Sequence, residues 1–406
     1  MEAVWRIESP RLIAGLARYV RDVAVAEELA QDAFVAALER WPQSGVPRVP
    51  GAWLMTTAKR RAIDRLRRDA RLARKQEALL RDREIRQTDP AANADDDVGD
   101  DLLRLIFVAC HPVLSTPARV ALTLRLLGGL TTAEIARAFL VSEATIAQRI
   151  VPAKRTLAEA RVPFEMPAQA DRANRLASVL EVVYLIFNEG YSATSGEHWL
   201  RPELCEDAMR LGRVLAGLMP AESEVHGLVA LMEIQASRLR ARIGPAGNPI
   251  LLFEQDRTRW DRLLIRRGLA ALERAERLGG ALGPYALQAS IASCHARAQT
   301  PAETDWTRIV ALYDALAQIA PSAIVALNRA IAISMAFGPA AGLEIVDGLQ
   351  SEPLLRRYPL LPGTRADLLV KLGRFDEARD EFERAAALTE NAAQRRLLME
   401  RAAALV

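Results

Sequence analysis

The amino-acid sequence predicts an all-α protein, and three observations carry that expectation. Alanine, leucine and arginine dominate a chain of 406 residues that is 50% hydrophobic, while β-branched runs are scarce. That usage belongs to helices rather than sheets. Apolar residues recur at three- and four-residue steps, the period of a helix with one buried face. The C-terminal part carries helix pairs punctuated by glycine, the pattern of a helical repeat.

Length and charge narrow the function class before any motif does. A chain of this size reads as two or three domains. Its formal net charge is only +3, so the distribution of charge is more informative than its sum. Cys110, Cys205 and Cys294 lie far apart and form no CxxC pair, which argues against a disulfide framework and fits a reducing compartment. MEAVWRIESPRL has no apolar stretch of the signal-peptide type, and no apolar run approaches the roughly 20 residues that span a bilayer. A soluble, cytoplasmic protein without membrane contact is expected. No glycine-rich phosphate loop, nucleophile elbow or metal-ligand cluster is present, so no enzyme activity, cofactor or metal is expected. Cys110–His111 and Cys294–His295 do not make a zinc site, because adjacent helical residues point apart and no second ligand pair stands nearby.

Residues 9–41 read as two helices. Leu12, Leu16, Tyr19 and Val20 form one stripe; Leu29, Ala33, Phe34, Ala37 and Leu38 form the next. PQSGVPRVPG (42–51) reads as a loop, because its prolines and glycines do not sustain a helix. WLMTTAKRRAIDRLRRD (53–69) then packs six cations into one helix-length segment. Leu54, Ala58, Ala62 and Leu66 fall at four-residue steps, with Trp53 and Ile63 beside them, as a buried face. Lys59, Arg60 and Arg67 face the other way, with Thr56 and Thr57, while Arg61, Asp64 and Arg68 occupy a flank. A plain solvated face is the simpler alternative, but cations greatly outnumber anions here, which points to a phosphate backbone as partner. The basic character continues through Arg71, Arg74, Lys75, Arg81, Arg83 and Arg86. The sign then reverses in TDPAANADDDVGDD (88–101), whose six aspartates and no cation mark a flexible linker.

A compact helical unit follows from Leu102 to about Arg161, and its end carries a second motif. In LTTAEIARAFLVSEATIAQRIVPAKRTLAEA (130–160), Thr131 and Glu134 form a capping box. Ile135, Ala136 and Phe139 make the first stripe, a turn falls at Leu140 and Val141, and Ser142 caps a second helix with Ile146 and Ile150 inward. This is helix-turn-helix spacing, and the second helix projects Glu143, Thr145, Gln148, Arg149 and Lys154 outward, where they can read base edges and grip phosphates. Leu140 stands where many such motifs have glycine. Pro152 is expected to kink the second helix at a cost of about 3 kcal/mol if nothing compensates, which bears on the reach of Lys154 and Arg155.

The third region runs from about Pro167. KLGRFDEARDEFERAAAL (371–388) has the spacing of half a tetratricopeptide repeat, with Gly373 ending one helix and Phe375, Ala378, Phe382 and Ala385 packing against it. Looser copies begin near Ser322 and Pro284. Such pairs stack because none buries its apolar face alone. Glu203, Glu206 and Asp207 read as a solvated helix face. FNEGY (187–191) reads either as a helix end, with Asn188 and Glu189 capping and Gly190 terminating, or as a contact between this region and the rest of the chain.

The order of these motifs resembles an extracytoplasmic-function (ECF) sigma factor of bacterial RNA polymerase over about residues 5–161. The remainder, on YLIFNEGYSAT (184–194), resembles the tetratricopeptide-like C-terminal extension of one ECF subgroup. The resemblance implies sigma region 2 over 1–87, the acidic linker over 88–101, sigma region 4 over 102–165 and a regulatory extension over 166–406. It implies that AEELAQDAFVAALERW (26–41) binds the clamp of core RNA polymerase, with Glu28, Gln31 and Asp32 as exposed contacts and Ala33 and Leu38 inward. It also implies that Lys59, Arg60, Arg61, Arg65 and Arg67 hold the melted −10 strand of promoter DNA, and that Thr145, Gln148, Arg149 and Lys154 serve the −35 element. The linker would lie in a basic channel of the polymerase, and region 4 would reach its flap. The extension would regulate, with Asn188, Glu189 and Tyr191 as a regulatory contact and a protein or peptide as partner of the repeats.

A stand-alone helix-turn-helix regulator with a tetratricopeptide-like sensor is the alternative. It explains residues 130–160 and the repeats but not 26–68, and it predicts duplex binding without polymerase. A scaffold acting through its repeats predicts no DNA effect when Arg60 and Arg67 are changed.

Overall fold

A computed structural model describes residues 1–77, 98–244 and 247–405. Among these, the chain forms eighteen α-helices and two strands of two residues each. It divides into two compact units, Met1–Val182 and Val183–Val406. The linker residues 88–97, and the cations at 81, 83 and 86, lie outside the described residues.

The first unit begins with α1 (Glu2–Val20), α2 (Val23–Ser44) and α3 (Pro50–Glu77). Arg21 takes a left-handed conformation, φ 54°, and ends α1. Asp22 then caps α2, accepting from the amides of Ala24 at 2.7 Å and Val25 at 3.0 Å. Leu12, Leu16, Leu29, Ala33, Ala37, Leu54, Ala58 and Ala62 are buried between these helices. Each leucine contributes about 1.5–3 kcal/mol by leaving water. The loop expected over 42–51 is shorter than its composition implies. α2 continues through Pro42 to Ser44, and Pro50 opens α3 at its first position, where a missing N–H costs nothing. Trp41 and Trp53 meet edge to face at 5.3 Å and join the two helix ends. Leu38 and Ile63 are exposed rather than inward. The small residues Ala37 and Ala62 beside them allow close approach, and that approach leaves the larger neighbours outside.

The unit continues with α4 (Val98–Ala109), α5 (Thr116–Leu126), α6 (Thr132–Phe139), α7 (Glu143–Glu159) and the first turns of α8 (Gln169–Tyr191). The last four residues read as linker are the first turn of α4. Asp101 is buried there and pairs with Arg104 at 2.6 Å and Arg18 of α1 at 3.7 Å. Burial pushes its carboxyl above the ordinary range, against the pull of the two arginines. The start of α8 is pinned to this unit. Arg175 donates to the Phe107 carbonyl at 2.8 Å, Ser178 donates to the Cys110 carbonyl at 2.8 Å, and Arg119 donates to Glu181 at 3.1 Å and to Ser178.

The second unit holds the end of α8, then β1 (Ser195–Gly196), α9 (Pro202–Leu218), α10 (Ser223–Ala236), α11 (Arg262–Arg277), α12 (Pro284–Arg297), α13 (Trp306–Ile319), α14 (Ala323–Phe337), α15 (Pro339–Leu349), α16 (Leu360–Lys371), α17 (Phe375–Leu388), β2 (Glu390–Asn391) and α18 (Ala392–Ala403). From α9 on, helices adjacent in sequence pack on one another, so each core cluster is shared by neighbouring pairs. Gly373, φ 75°, turns α16 into α17, and Ala378, Phe382 and Ala385 are buried as expected; Phe375, at the first position of α17, is exposed. The two ends of this unit meet. β1 and β2 pair in parallel, with Ser195 opposite Glu390. The fully buried Asn391 donates from Nδ2 to the carbonyls of Ala193 at 3.2 Å and His198 at 2.9 Å. Its Oδ1 accepts from the Gln394 amide at 3.1 Å and so starts α18.

Candidate nucleic-acid interface

Helix α3 presents its cations because Leu54, Ala58 and Ala62 on its other face are committed to the core with no exposure; the side chains of Leu66 and Arg68 lie outside the described residues. The expected −10 residues separate into two groups. Lys59, Arg60 and Arg67 are exposed and make no ion pair among the described residues. Arg61 and Arg65 lean toward α2 instead, where Arg61 pairs with Asp32 at 3.4 Å and Arg65 with Glu28 at 2.6 Å. Those carboxylates are two of the residues expected to meet polymerase, and both remain more than half exposed. Exposed pairs of this kind are worth about 0–1 kcal/mol, so a phosphate or a protein partner can displace either side. Thr56 and Thr57 return their hydroxyls to the carbonyls of Ala52 and Trp53 within the helix.

The helix-turn-helix is present with its capping box complete. The Thr131 amide donates to Glu134 Oε2 at 2.7 Å, and the Glu134 amide donates to Thr131 Oγ1 at 3.1 Å. Leu140 takes the left-handed conformation, φ 50°, that glycine would occupy without strain. Its side chain points into solvent. Ser142 caps α7 by accepting from the Thr145 amide at 3.1 Å, and its hydroxyl lies 2.8 Å from that of Thr145. Pro152, where a kink was expected, lies inside α7, which runs unbroken from Glu143 to Glu159. Buried Ile146, Ile150, Ala153 and Leu157 anchor both sides of it, and this packing offsets the lost hydrogen bond.

The outward face of α7 differs from the expected set. Gln148 and Val151 are exposed, and so is Arg155, which pairs with Glu159 at 3.3 Å one turn on. Thr145 and Arg149 are half-buried. Lys154 does not project freely. Its ammonium makes an ion pair with Glu27 of α2, a carboxylate only 3% exposed. Glu27 also accepts at Oε1 from Arg125 Nε at 2.7 Å and from Gln31 Nε2 at 2.8 Å. Sequence reasoning passed over Glu27 and Arg125. The available signal was a charge inside an apolar run, since Ala26 and Ala30 on either side of Glu27 are fully buried.

In the second unit the FNEGY segment does not end its helix at Gly190; α8 continues to Tyr191. Gly190 is buried because α9 passes close by, and a Cβ there would lie 2.7 Å from the Cys205 amide nitrogen. Glu189 pairs with Arg201 and accepts from the Thr194 hydroxyl at 3.0 Å. Tyr191 accepts from Arg238 through its hydroxyl and from Arg242 through its carbonyl at 3.0 Å, and the Arg242 guanidinium sits 3.7 Å from the centre of its ring. Burial alone would raise the Tyr191 hydroxyl, but the two arginines outweigh it and hold it below the ordinary tyrosine value. Asn188 is half-buried. Glu189 and Tyr191 therefore tie the second unit together internally.

The remaining reactive groups are structural in their surroundings. Cys110 and Cys205 are buried, which pushes their thiols up to about 11 and about 12. Among the described residues no group of three or more histidine, cysteine, aspartate or glutamate side chains is placed to hold a metal ion. No helix among them is long and apolar enough to cross a membrane.

Residues 5–72 match the family described as Sigma-70 region 2, and residues 104–157 match Sigma-70, region 4. Residues 175–276 match a family of unknown function, DUF6596. An uncharacterized protein of Rhizobium meliloti (strain 1021) is 46% identical over 387 residues, which cover 95% of this chain and 91% of that protein.

Proposed function

Because the chain belongs to the ECF-type sigma factors that carry a C-terminal extension, we propose that it directs core RNA polymerase to specific promoters under the control of that extension. Regions 2 and 4 are the sigma parts that recognise promoters, so core polymerase and promoter DNA are the partners. The observation that carries the reading further is the separation of surfaces on one docked helix. α3 buries Leu54, Ala58 and Ala62 and leaves Lys59, Arg60 and Arg67 exposed, with no ion pair among the described residues. An exposed row of cations attracts phosphates and steers association.

In this reading Lys59, Arg60 and Arg67 neutralise the −10 strand, and Arg61 and Arg65 join them when Asp32 and Glu28 turn to the polymerase clamp with Gln31. Gln148 and Arg149 read the −35 element, Thr145 positions the start of their helix, and Lys154 adds a phosphate contact once released. The chain acts by binding rather than catalysis. The work takes place in the cytoplasm. The extension sets when binding occurs, and Asn188, Glu189 and Tyr191 support that role by holding the end of α8 in place.

The test is co-purification with core polymerase followed by run-off transcription on genomic fragments. Stable association and discrete start sites are expected. Duplex binding in the absence of core, with no association, would replace this reading by the stand-alone regulator. Transcription by a truncated chain ending at Val182 is compared in the same assay, and equal output would reject control by the extension.

A further inference from the structure

We propose that the second unit holds a binding site for a small oxyanion, a carboxylate or a phosphate, in the cavity between the end of α12 and the start of α13. The inference goes beyond the sigma reading and does not depend on it. The cavity holds about 260 Å³, the space of about nine waters at about 30 Å³ each. That suits a metabolite of a few carbons and is too little for a docked helix. Four charged side chains line it, and they are not equivalent. Both carboxylates are committed to local turns. Glu303 accepts from the Gln299 amide at 3.0 Å and from the Thr300 hydroxyl at 3.1 Å. Asp305 caps α13 by accepting from the Arg308 amide at 2.9 Å. The arginines have no such commitment. Arg297 and Arg308 are exposed at the cavity, and neither guanidinium makes a hydrogen bond or ion pair among the described residues. Each offers a planar fork of N–H donors that matches a carboxylate or phosphate.

The cavity also has a floor and a support. Cys294 lines it three residues before Arg297, on the same face of α12, and is 7% exposed. Burial pushes its thiol up; among the charges that act on it Arg308 comes first, ahead of Asp305, and Arg297 adds to Arg308. Both walls hang on a third cation, Arg257, which is 6% exposed. It donates to the carbonyls of His295 and Ala298 at 2.7 Å each, where α12 ends. It also donates to the Thr304 hydroxyl at 3.3 Å, between Glu303 and Asp305. Arg257 makes no ion pair among the described residues, and its Nε is buried without a hydrogen-bond partner. Three arginines thus face two carboxylates that are already engaged. A buried cation without a counter-charge is costly, and an oxyanion between Arg297 and Arg308 offsets that cost at short range.

The experiment uses the full chain, with Cys294 as the reporter. Iodoacetate and iodoacetamide both alkylate a thiolate with loss of iodide, and they differ in that only iodoacetate carries a negative charge. Cys110 and Cys205 are buried, with thiols pushed up to about 11 and about 12, so they report opening of the chain. Peptide mass spectrometry reads all three cysteines in one digest. The ratio of iodoacetate to iodoacetamide rates at Cys294 is expected to exceed that of 2-mercaptoethanol several-fold. Arg297→Gln combined with Arg308→Gln is expected to return it to the free-thiol value with unchanged circular dichroism. A wild-type ratio no higher than the free thiol, a ratio unchanged in the double variant, or alkylation of Cys294 no faster than Cys110 would overturn the site. Succinate and inorganic phosphate, each matched in ionic strength to a chloride control, distinguish the two sources. The anion that slows iodoacetamide at Cys294 at the lower concentration names the class, and slowing by neither also overturns the proposal. The wild-type measurements remain decisive if the double variant does not fold. None of these readings involves polymerase or DNA, so their outcome is separate from that of the sigma reading.

Discussion

Replacing Gly190 by alanine tests whether the FNEGY glycine ends a helix or admits a neighbour. A helix-ending glycine tolerates alanine only with strain from a positive φ, but Gly190 lies inside α8 and is not among the positive-φ glycines. At an ordinary helical position alanine gains roughly 0.5–1 kcal/mol over glycine. Here the added Cβ would meet the Cys205 nitrogen at 2.7 Å, Cys205 Sγ at 2.8 Å and the Arg201 carbonyl oxygen at 2.9 Å. Two of these are backbone atoms at the start of α9, so no side-chain rotation relieves the contact. The Arg201 amide also donates to the Gly190 carbonyl at 2.8 Å, which holds the two segments at that distance. Overpacking of this kind costs about 1–3 kcal/mol. The strain exceeds the propensity gain, and Gly190→Ala is expected to destabilise by about 1–2 kcal/mol. For a unit of this size that lowers the melting temperature by roughly 2–8 °C. Gly217→Ala is the control: it sits in α9 with nothing within 4 Å of its Cβ, and it is expected to be neutral or stabilising by up to about 1 kcal/mol. Thermal and urea unfolding of the full chain measure both. A Gly190→Ala protein as stable as wild type, or shifted in the same direction as Gly217→Ala, would refute the close-approach reasoning.

Removing Arg60 and Arg67 together is expected to reduce the salt dependence of single-strand −10 binding by about 1.4 in log–log slope, at roughly 0.7 per phosphate. The Arg61 and Arg65 double variant is expected to do less, because those cations already neutralise Asp32 and Glu28; equal slopes for the two doubles count against the division. Acid is expected to weaken the second unit through His295, whose imidazole is held down at about 3 by burial and by Arg238 and Arg257. Its folded value lies below the unfolded one of about 6.5, so the unfolded chain binds the extra proton and stability falls as pH drops below that point, by about 2 kcal/mol at pH 5. Urea titrations at pH 7.5 and 5 check this, and a His295→Gln variant with the same acid loss refutes the assignment. Asn391→Ala is expected to cost about 1–3 kcal/mol by stranding the Ala193 and His198 carbonyls. Hydrogen exchange should rise around residues 193–198, and unchanged protection there would show that the β1–β2 pairing does not depend on Asn391.

The local features were legible because they depend on neighbours along the chain. The capping box of Thr131 and Glu134, the Ser142 cap, the buried stripe of Leu54, Ala58 and Ala62, and the turn at Gly373 all follow from spacings of three or four residues. Composition was a poorer guide at the prolines. Pro42 and Pro152 both sit inside continuous helices, since packing on either side outweighs the lost hydrogen bond. Charge was also ambiguous: Arg60 and Arg61 are adjacent and chemically identical, yet among the described residues one has no ion pair and the other faces Asp32 across a helix contact.

By itself the sequence determined that the chain is helical, where its helix starts and turns lie, which helix is basic, and the order of motifs that marks the sigma regions. Periodicity and capping act over one or two turns, so they are written in the chain. Only the tertiary structure decided which charges meet. Glu27 and Lys154 are separated by more than a hundred residues, and Ser195 and Glu390 by nearly two hundred. Such pairings depend on how whole helices seat against one another, a property of packed surfaces that no local spacing encodes.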